Sequence, residues 1–306
     1  MKKRASIDIG TNTVRLLILQ EGPNGHFTEL GSARRITRLG EGMNAGKTLL
    51  DPRMESTLSV LSEFRDICRT HGTIPIRAVA TSAVREASNG EEFVRRALAR
   101  TGIKVEVISW EEEAGLTLEG VFWKIPPQDR KTLTFDIGGG STEFILSRGK
   151  SIGGAQSTSL GTVRLTEKFI TRHPIAKDEY EHLQAYIQAE LAGVTARLSG
   201  FQPELLIGTA GTVTTLAALQ ENIYPYDPEK IHGAVLSRNQ IQRIQNDLKG
   251  KSIEERRLLK PLEPGRADLI IAGTAIVLET MRAFQCDLLT VSEYGLREGI
   301  LLKALE

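Results

Sequence analysis

A glycine-rich stretch at residues 134–144 occurs in two copies, and this duplication constrains the fold more than any other feature of the sequence. The stretch sets Asp136 at the end of an apolar run, and three glycines, polar residues and a second apolar run follow. Residues 7–16 repeat the pattern around Asp8, which lies 136 − 8 = 128 residues earlier. A repeat of this length exceeds the ~20–50 residues of a solenoid unit. It therefore predicts a duplicated domain.

Each copy is predicted to form a strand, a turn and a return strand. Glycine permits backbone angles that side chains exclude, and it lets backbone N–H groups approach an anion closely, as in phosphate-binding nests. Asp136 ends its strand and could hold a divalent cation. A plain hairpin turn accounts for the same glycines without a ligand, because such turn signals are common. The local sequence favours phosphate binding but leaves the plain turn open.

Composition places the chain among ordinary globular proteins. With 306 residues, 40% hydrophobic and 25% charged, it can bury a full core and is expected to hold two domains, divided near Pro126–Pro127. The formal net charge of +1 creates no overall field that would attract nucleic acid or a membrane, so local Arg and Lys must meet any anionic ligand. The widely spaced Cys68 and Cys286 are expected to be reduced thiols of a cytoplasmic protein.

Two further segments of the first half carry candidate functional groups after predicted strands. Ser82 and Arg85 follow the strand at residues 76–80, at the end where open α/β sheets bind ligands. Helix N-capping by Thr81 or Ser82, with Arg85 in solvent, is the alternative. Residues 111–113 are three glutamates in the first turn of a predicted helix, where acidic side chains interact favourably with the helix macrodipole. One of these carboxylates could instead point into a cleft.

The second half contains two more candidate anion sites. Gly161 and the N–H groups after it could bind an anion, with Arg164 as the counter-charge. The turn at residues 208–216 feeds a helix, so the amides near Gly211 and Thr212 are predicted to face a ligand. The five histidines show no zinc-ligand spacing, so a zinc site is not expected.

Taken together and in order, these motifs resemble those of the exopolyphosphatase / guanosine pentaphosphate phosphohydrolase family, the Ppx/GppA phosphatases. The resemblance covers essentially the whole chain and rests on residues 8–15, 81–87, 111–114, 136–143, 159–166, 208–219, 266–268 and 295–299. The chain looks like a short member without the C-terminal helical domain that longer members carry. Gly115 departs from the family pattern, which usually has an arginine there.

The resemblance implies an α/β fold of the actin-like, sugar-kinase-like ATPase superfamily, with two ribonuclease-H-like domains flanking a cleft. The N-terminal domain is expected to cover residues 1–124 and the C-terminal domain residues 125–306, with a last helix able to pack back on the first domain. The resemblance also implies a cytoplasmic homodimer, without nucleic-acid or membrane partners.

For activity, the resemblance implies Mg²⁺-dependent hydrolysis of the terminal phosphate of inorganic polyphosphate by a glutamate-activated water. Glu113 matches the catalytic base of the family, and Asp136, Glu143 and Asp8 are the expected metal ligands. The expected phosphate-binding residues combine the glycine turns with the motif arginines and neighbouring polar residues: Gly10, Thr11, Asn12, Thr13, Arg15, Ser82, Arg85, Gly138, Gly139, Gly140, Ser141, Thr142, Arg164, Gly211, Thr212 and Arg266.

Three other functions stay open from the sequence. The same site could hydrolyse guanosine pentaphosphate (pppGpp), where only the leaving group differs. A second class is a phosphotransferase that moves phosphate between polyphosphate and ADP, and a third is a non-catalytic nucleotide sensor. The presence of Glu113, Asp136 and Glu143 favours an enzyme over a sensor.

Overall fold

The chain forms two compact units in a computed structural model that describes residues 2–23, 26–43, 46–72, 75–198 and 202–303. The first unit comprises Met1–Gly120 together with Leu296–Glu306, and the second comprises Val121–Gly295. The division lies inside the helix Trp110–Phe122 rather than at the two prolines, because this helix continues past the last residue of the first unit. The final helix belongs with the first unit, so the second unit does not reach the end of the chain.

A five-stranded mixed sheet forms the centre of the first unit. Its strand order is β3-β2-β1-β4-β5, with two antiparallel pairings on one side of β1 and two parallel pairings on the other. The elements of this unit are β1 (Lys3–Ile9), β2 (Thr13–Glu21), β3 (Phe27–Ile36), α1 (Asp51–Thr70), β4 (Ile76–Ala80), α2 (Ser82–Glu86), α3 (Gly90–Thr101), β5 (Val105–Val107), α4 (Trp110–Phe122) and the last helix, α12 (Leu296–Lys303).

The second unit is built on a six-stranded sheet with the order β8-β7-β6-β9-β11-β10. Its elements are β6 (Lys131–Ile137), β7 (Thr142–Arg148), β8 (Ser151–Thr158), α5 (Thr162–Phe169), α6 (Lys177–Arg197), β9 (Leu205–Thr209), α7 (Ala210–Glu221), α8 (Pro228–Ile231), β10 (Val235–Ser237), α9 (Arg238–Lys249), α10 (Ile253–Arg257), α11 (Ile270–Ala283) and β11 (Leu288–Val291). A short 3₁₀ turn, Pro264–Arg266, precedes α11.

The second sheet repeats the first and adds one edge strand. Strands β6 and β7, with β8 beyond them, pair antiparallel as β1, β2 and β3 do, and β9 and β11 continue the sheet in parallel as β4 and β5 do. Strand β10 then closes the edge in antiparallel pairing. The duplicated domain that the sequence repeat predicts is confirmed, and the α/β class with it.

Helix α11 lies at the centre of the second core. Its residues from Ile270 to Met281 are all buried, as the apolar sequence predicts. Beside it, Phe144 stacks between Phe135 and Phe284, with ring centroids 6.4 and 6.3 Å apart. Burial of such rings is a large part of the apolar area removed from water. Neither α11 nor any other helix among the described residues is long and apolar enough to cross a membrane.

The last helix packs on the first unit through apolar side chains and a close backbone approach. Leu296 and Ile300 of α12 join an apolar cluster with side chains from β4 and α4. A Cβ atom at Gly299 would overlap the carbonyl oxygen of Leu116 in α4. Glycine is therefore required where the two helices meet.

Replacing Gly299 by alanine should destabilise the first unit by about 1–3 kcal/mol, as expected for an overpacked contact. The added methyl group would displace α12 from α4, because the atom it meets is backbone rather than a flexible side chain. Urea unfolding of the variant and the wild type measures the effect.

The matched control is Gly193→Ala in α6, where a Cβ meets no atom within 4 Å. Alanine is the better helix former by up to ~1 kcal/mol, so this variant should be as stable as the wild type or more so. Equal unfolding midpoints for the two variants would contradict the close packing at Gly299.

Candidate active site

The predicted glycine turns form hairpins of the same geometry in both units. In the first unit, the Gly10 N–H donates to the Thr13 carbonyl at 3.0 Å, which closes the turn between β1 and β2. In the second unit, the Gly138 N–H donates to the Ser141 carbonyl at 2.9 Å between β6 and β7. Within the described residues, the two central N–H groups of each turn donate to no backbone carbonyl. Both turns therefore present amides that an anion can bind.

The polar side chains of both turns are buried. Thr11, Asn12 and Thr13 are each less than 9% exposed, and the Asn12 Nδ2 donates to the Thr13 hydroxyl at 3.3 Å. Among the described residues, the Asn12 Oδ1 has no hydrogen-bond partner. In the second turn Ser141 is buried, and the Thr142 hydroxyl donates to a backbone carbonyl in the loop after β8. The Thr142 hydroxyl therefore holds this turn to the neighbouring loop.

Two carboxylates stand beside the turn of the second unit. Asp136 on β6 is directly opposite Glu143 on β7, a register that sets the Cβ atoms about 5 Å apart. Glu143 is buried, and its Oε1 accepts a hydrogen bond from the Ser157 hydroxyl on β8 at 2.8 Å. Mg²⁺ binds to proteins through one or two carboxylates and completes its shell with water and substrate phosphates. This pair fits such an ion.

The third expected metal ligand, Asp8, lies in the first unit beside the other turn. It is buried and directly opposite Arg15, which in turn faces Arg34 on β3. The described residues contain no cluster of three or more His, Cys, Asp or Glu side chains with metal-binding geometry. By the repeat offset of 128 residues, Arg15 occupies the position of Glu143, so the two copies carry opposite charges there.

Arg85 is held by contacts within the first unit. Its Nη1 donates to the Glu113 Oε2 at 2.9 Å and to the Ile108 carbonyl at 3.0 Å. The alternative of helix N-capping at this place is wrong, because the Thr81 side chain makes no cap hydrogen bond and the Ser82 hydroxyl faces Glu86 at 3.2 Å. Ser82 itself is buried.

Of the three glutamates that begin α4, Glu113 alone is buried, with 7% of its surface exposed. Glu111 is exposed, and Glu112 forms a partly exposed ion pair with Arg77 at 2.9 Å. The helix macrodipole and, for Glu112, the ion pair with Arg77 account for the first two. They do not explain why the third carboxylate is buried against a guanidinium, so Glu113 stays the candidate functional group of the three.

The sequence-based prediction of a separate anion site after Gly161 is wrong. The N–H groups of Thr162 and Val163 donate to the Gly138 and Gly139 carbonyls at 3.0 and 2.9 Å, and the next N–H also bonds to Gly139. These amides are therefore occupied by the glycine turn. A Cβ at Gly161 would overlap the turn's backbone, so the start of α5 supports the turn directly.

Arg164 lies at the same junction. Its backbone N–H donates to the Gly139 carbonyl at 3.2 Å, and its Nε donates to the Gly140 carbonyl at 3.0 Å. The guanidinium is thus attached to the turn that is predicted to bind phosphate. Its expected role as a phosphate ligand stays a prediction.

Arg266 covers the first turn of α7. A Cβ at Gly211 would overlap the Arg266 guanidinium, so the two residues are in direct contact. The Arg266 Nε donates to the Glu263 Oε2 at 2.9 Å, which partly neutralises it. A helix N-terminus carries partial positive charge, and a cation beside it is unfavourable unless an anion lies close. Thr212, in the same turn, is buried.

The expected site residues therefore fall into two sets, one in each unit. The first set contains Gly10 to Thr13, Asp8, Arg15, Ser82, Arg85 and Glu113, and follows the ends of β1, β4 and β5. The second contains Asp136, Gly138 to Thr142, Glu143, Arg164, Gly211, Thr212 and Arg266, most of which follow the ends of β6 and β9. Both sets lie at the carboxyl ends of parallel strands, where α/β sheets bind ligands.

Two residues of the site were missed in the sequence. Ser157 bonds to Glu143, but nothing in its own polar strand marks it, because the partner lies on the strand before. Ala210 begins α7 with a φ of +72°, a left-handed conformation that is unfavourable for any residue with a Cβ. The neighbouring Gly211 suggested a special turn without showing which residue is strained.

Two copies of one α/β unit, each with an amide-presenting glycine turn at the carboxyl edge of its sheet, define a duplicated α/β protein. The particular family follows from sequence: residues 18–306 match the Ppx/GppA phosphatase family, and the chain belongs to it. The chain is thus an enzyme, a hydrolase of phosphoanhydride bonds.

Curated relatives agree with this assignment. Exopolyphosphatase 2 of Mycobacterium tuberculosis is 31% identical over 310 residues, which cover 97% of both chains. A bifunctional 3-dehydroquinate synthase/phosphatase of Fusobacterium nucleatum is 36% identical over 99% of this chain. The chain spans only 46% of that relative's length.

Solved structures show the same fold. An exopolyphosphatase from Cytophaga hutchinsonii superposes with a TM-score of 0.93 at 30% identity, over 99% of this chain and 98% of the other. A Ppx/GppA family member from Aquifex aeolicus superposes with a TM-score of 0.84 at 36% identity, over 99% and 97% of the two chains.

Replacing Gly211 by alanine should weaken phosphate binding without unfolding the protein. The new methyl group would displace the Arg266 guanidinium, which is the mobile end of a side chain and can move aside. Loss of one charge-assisted contact, worth about 1.5–3 kcal/mol, predicts an affinity for tripolyphosphate at least about tenfold lower. Calorimetric titration measures the affinity.

Gly193→Ala is again the control, since it adds a methyl group to a helix of the same unit with no atom within 4 Å. Its affinity for tripolyphosphate should equal that of the wild type. An unchanged affinity in the Gly211 variant would exclude a role for this contact in phosphate binding.

Proposed function

We propose that the chain is a Mg²⁺-dependent exopolyphosphatase, which removes the terminal phosphate of inorganic polyphosphate with a water activated by Glu113. The observation that carries this proposal is the burial of Glu113 and its ion pair with Arg85 at 2.9 Å, in the same unit as a turn that presents amides. The name of the mycobacterial relative, which matches over 97% of both chains, supports polyphosphate as the substrate.

The turns and arginines would bind and orient the phosphate chain. Phosphoryl transfer to water has a loose transition state with charge on the equatorial oxygens, so positioning and electrostatics supply most of the catalysis. The central amides of the two turns, at Thr11, Asn12, Gly139 and Gly140, are donors suited to these oxygens. Arg15 and Arg266 would add charge-assisted hydrogen bonds.

Glu113 would orient the attacking water and take its proton. The hydrogen bond from the Arg85 Nη1 to the Glu113 Oε2 determines the direction of the carboxylate, which a base requires. A positioned base contributes about 10²–10⁴ in rate. The leaving group is itself a phosphate, so no residue is needed to protonate it.

Asp136 and Glu143 would hold the magnesium ion. A bound Mg²⁺ supplies neutralising charge to the phosphate oxygens. The Ser157 hydroxyl, which donates to the Glu143 Oε1, would determine which oxygen of that carboxylate faces the ion.

Guanosine pentaphosphate is the alternative substrate of the same residues, since it also ends in a phosphoanhydride. Phosphate release from tripolyphosphate, long-chain polyphosphate and guanosine pentaphosphate, compared at equal concentrations, ranks the three. Formation of ATP from added ADP would show that the chain also transfers phosphate. A cytoplasmic homodimer is the expected form of the enzyme.

Replacing Glu113 by glutamine should lower kcat for phosphate release by about 10²–10⁴, because the amide cannot take a proton from water. Glu112→Gln is a matched control in the same helical turn, and its partly exposed ion pair with Arg77 has no place in the proposed chemistry. That variant should keep its activity within about twofold, as is typical of an exposed pair. Full activity of the Glu113 variant would rule out the mechanism.

Replacing Asp136 by asparagine should raise the Mg²⁺ concentration needed for half-maximal phosphate release by at least about tenfold, since the neutral amide binds a hard cation less well. A magnesium titration of the activity, together with calorimetry of Mg²⁺ alone, measures this shift. Asp129→Asn, which alters an exposed ion pair with Arg148, serves as the control and should leave the titration unchanged. Identical magnesium titrations for the Asp136 variant and the wild type would remove Asp136 from the metal site.

A further inference from the structure

Arg256 is the largest fully buried side chain of the described residues, and the chemistry proposed above does not use it. It lies on α10 with none of its surface exposed. Burial lowers the pKa of this guanidinium because the charged form loses its hydration. A buried cation is tolerated only where its N–H groups are well satisfied. Its contacts therefore show what it holds in place.

The guanidinium joins three segments of the second unit. Its Nη1 donates to the Ala267 carbonyl at 2.6 Å. Its Nε and Nη2 both donate to the Lys251 carbonyl, at 3.2 and 2.9 Å. Its Nη2 also lies 2.7 Å from the His173 Nδ1, in the segment between α5 and α6. The shortest of the donations to a carbonyl is received by the residue immediately after Arg266.

This contact bears on the direction of the Arg266 side chain. The 3₁₀ turn that carries Arg266 is closed by its own N–H, which donates to the Glu263 carbonyl at 2.8 Å. Ala267 is fully buried, so the residue after Arg266 is enclosed by the core of the second unit. The backbone of Arg266 is thus held on its N-terminal side by the turn and on its C-terminal side by Arg256. Its guanidinium then reaches Gly211 at the start of α7.

We propose that Arg256 is a positioning residue, which places the Arg266 guanidinium against α7 for phosphate binding, and that His173 supports Arg256 as a hydrogen-bond acceptor. The proposal rests on the role of Arg266 in phosphate binding that the proposed function assigns. It adds a residue that never touches substrate but sets the geometry of one that does.

The support from His173 depends on pH. Its Nδ1 accepts from a guanidinium, so the ring must be neutral at that atom, and a proton there would set two cations against each other. Burial and Arg256 on α10 lower the pKa of His173, while Asp268, Glu179 on α6 and Glu254 on α10 act in the opposite direction. The contact is therefore complete above the ordinary histidine value of about 6.5 and is lost as the pH falls below it towards the lowered value.

A double-mutant cycle tests the positioning role. Arg256→Lys keeps the positive charge but cannot reach all three acceptors, and should weaken tripolyphosphate binding about tenfold at pH 8, the loss expected when one hydrogen bond to a charged group is misplaced. In an Arg266→Met background the same change should have no further effect, because the residue that Arg256 positions is already absent. Equal losses in both backgrounds would show a structural role only and overturn the proposal.

Arg243→Lys, at an exposed position of α9 in the same unit, is the control for the arginine-to-lysine change and should bind like the wild type. Thermal melting establishes that each variant is folded. If Arg256→Lys does not fold, His173→Gln tests the same contact, because the glutamine oxygen accepts a hydrogen bond but does not titrate.

The ratio of tripolyphosphate affinities between His173→Gln and wild type should be near one at pH 8 and rise in favour of the variant as the pH falls to 5.5. Titration of the ligand itself cancels in this ratio. The control variant His182→Gln, at an exposed position, should have the same affinity for tripolyphosphate as the wild type at every pH. A flat ratio for His173→Gln would overturn the role of His173.

These measurements separate the inference from the proposed function. Tripolyphosphate binding without any phosphate release would refute the exopolyphosphatase but leave the Arg256 coupling measurable. If phosphate is released but the effects of Arg256→Lys and Arg266→Met on binding are additive, the coupling is refuted and the exopolyphosphatase proposal stands. Absence of any binding would refute both.

Discussion

The hydrogen bond that closes each glycine turn is the interaction on which both halves of this protein depend. From Gly10 to Thr13 and from Gly138 to Ser141, one N–H···O=C bond joins the first and last residues and turns the central amides outward. The same bond sets the register of the strands that follow, and so decides which side chains face one another across them. In the second unit, the start of α5 donates to the turn's carbonyls and makes it rigid.

The two units share the same arrangement of hairpin and parallel strands, but they carry different charges beside their glycine turns. Beside the first turn, Asp8 faces Arg15, so the pair is close to neutral and offers a cation to an anionic ligand. Beside the second turn, Asp136 faces Glu143, which concentrates negative charge where a metal ion fits. The charge difference at one repeat position accounts for this contrast, because the hairpins that carry it are paired in the same way in both units.

Much of the fold could be predicted, because its signals are local. The hairpins, the buried helix α11 and the duplication follow from glycine placement, apolar runs and a repeat that are all visible in the sequence. The domain limits were less accurate: the prolines suggested a boundary near residue 124, whereas the first unit ends at Gly120, inside α4. The return of α12 to the first unit depends on contacts between residues that are far apart in the chain. The anion site expected after Gly161 failed for a similar reason: its amides were free in the sequence pattern but are bonded to the glycine turn in space.

The sequence by itself determined the architecture, the family and the residue types available for phosphate chemistry, because turns, strand patterns and motifs are encoded within a few neighbouring residues. Only the tertiary structure decided which of these residues meet. It buried Glu113 against Arg85, 28 residues away, and left Glu112 at the surface. It also placed Arg266 on Gly211 and joined Arg256 to His173 across 83 residues. Such pairings depend on how sheets and helices pack, and no local pattern specifies them.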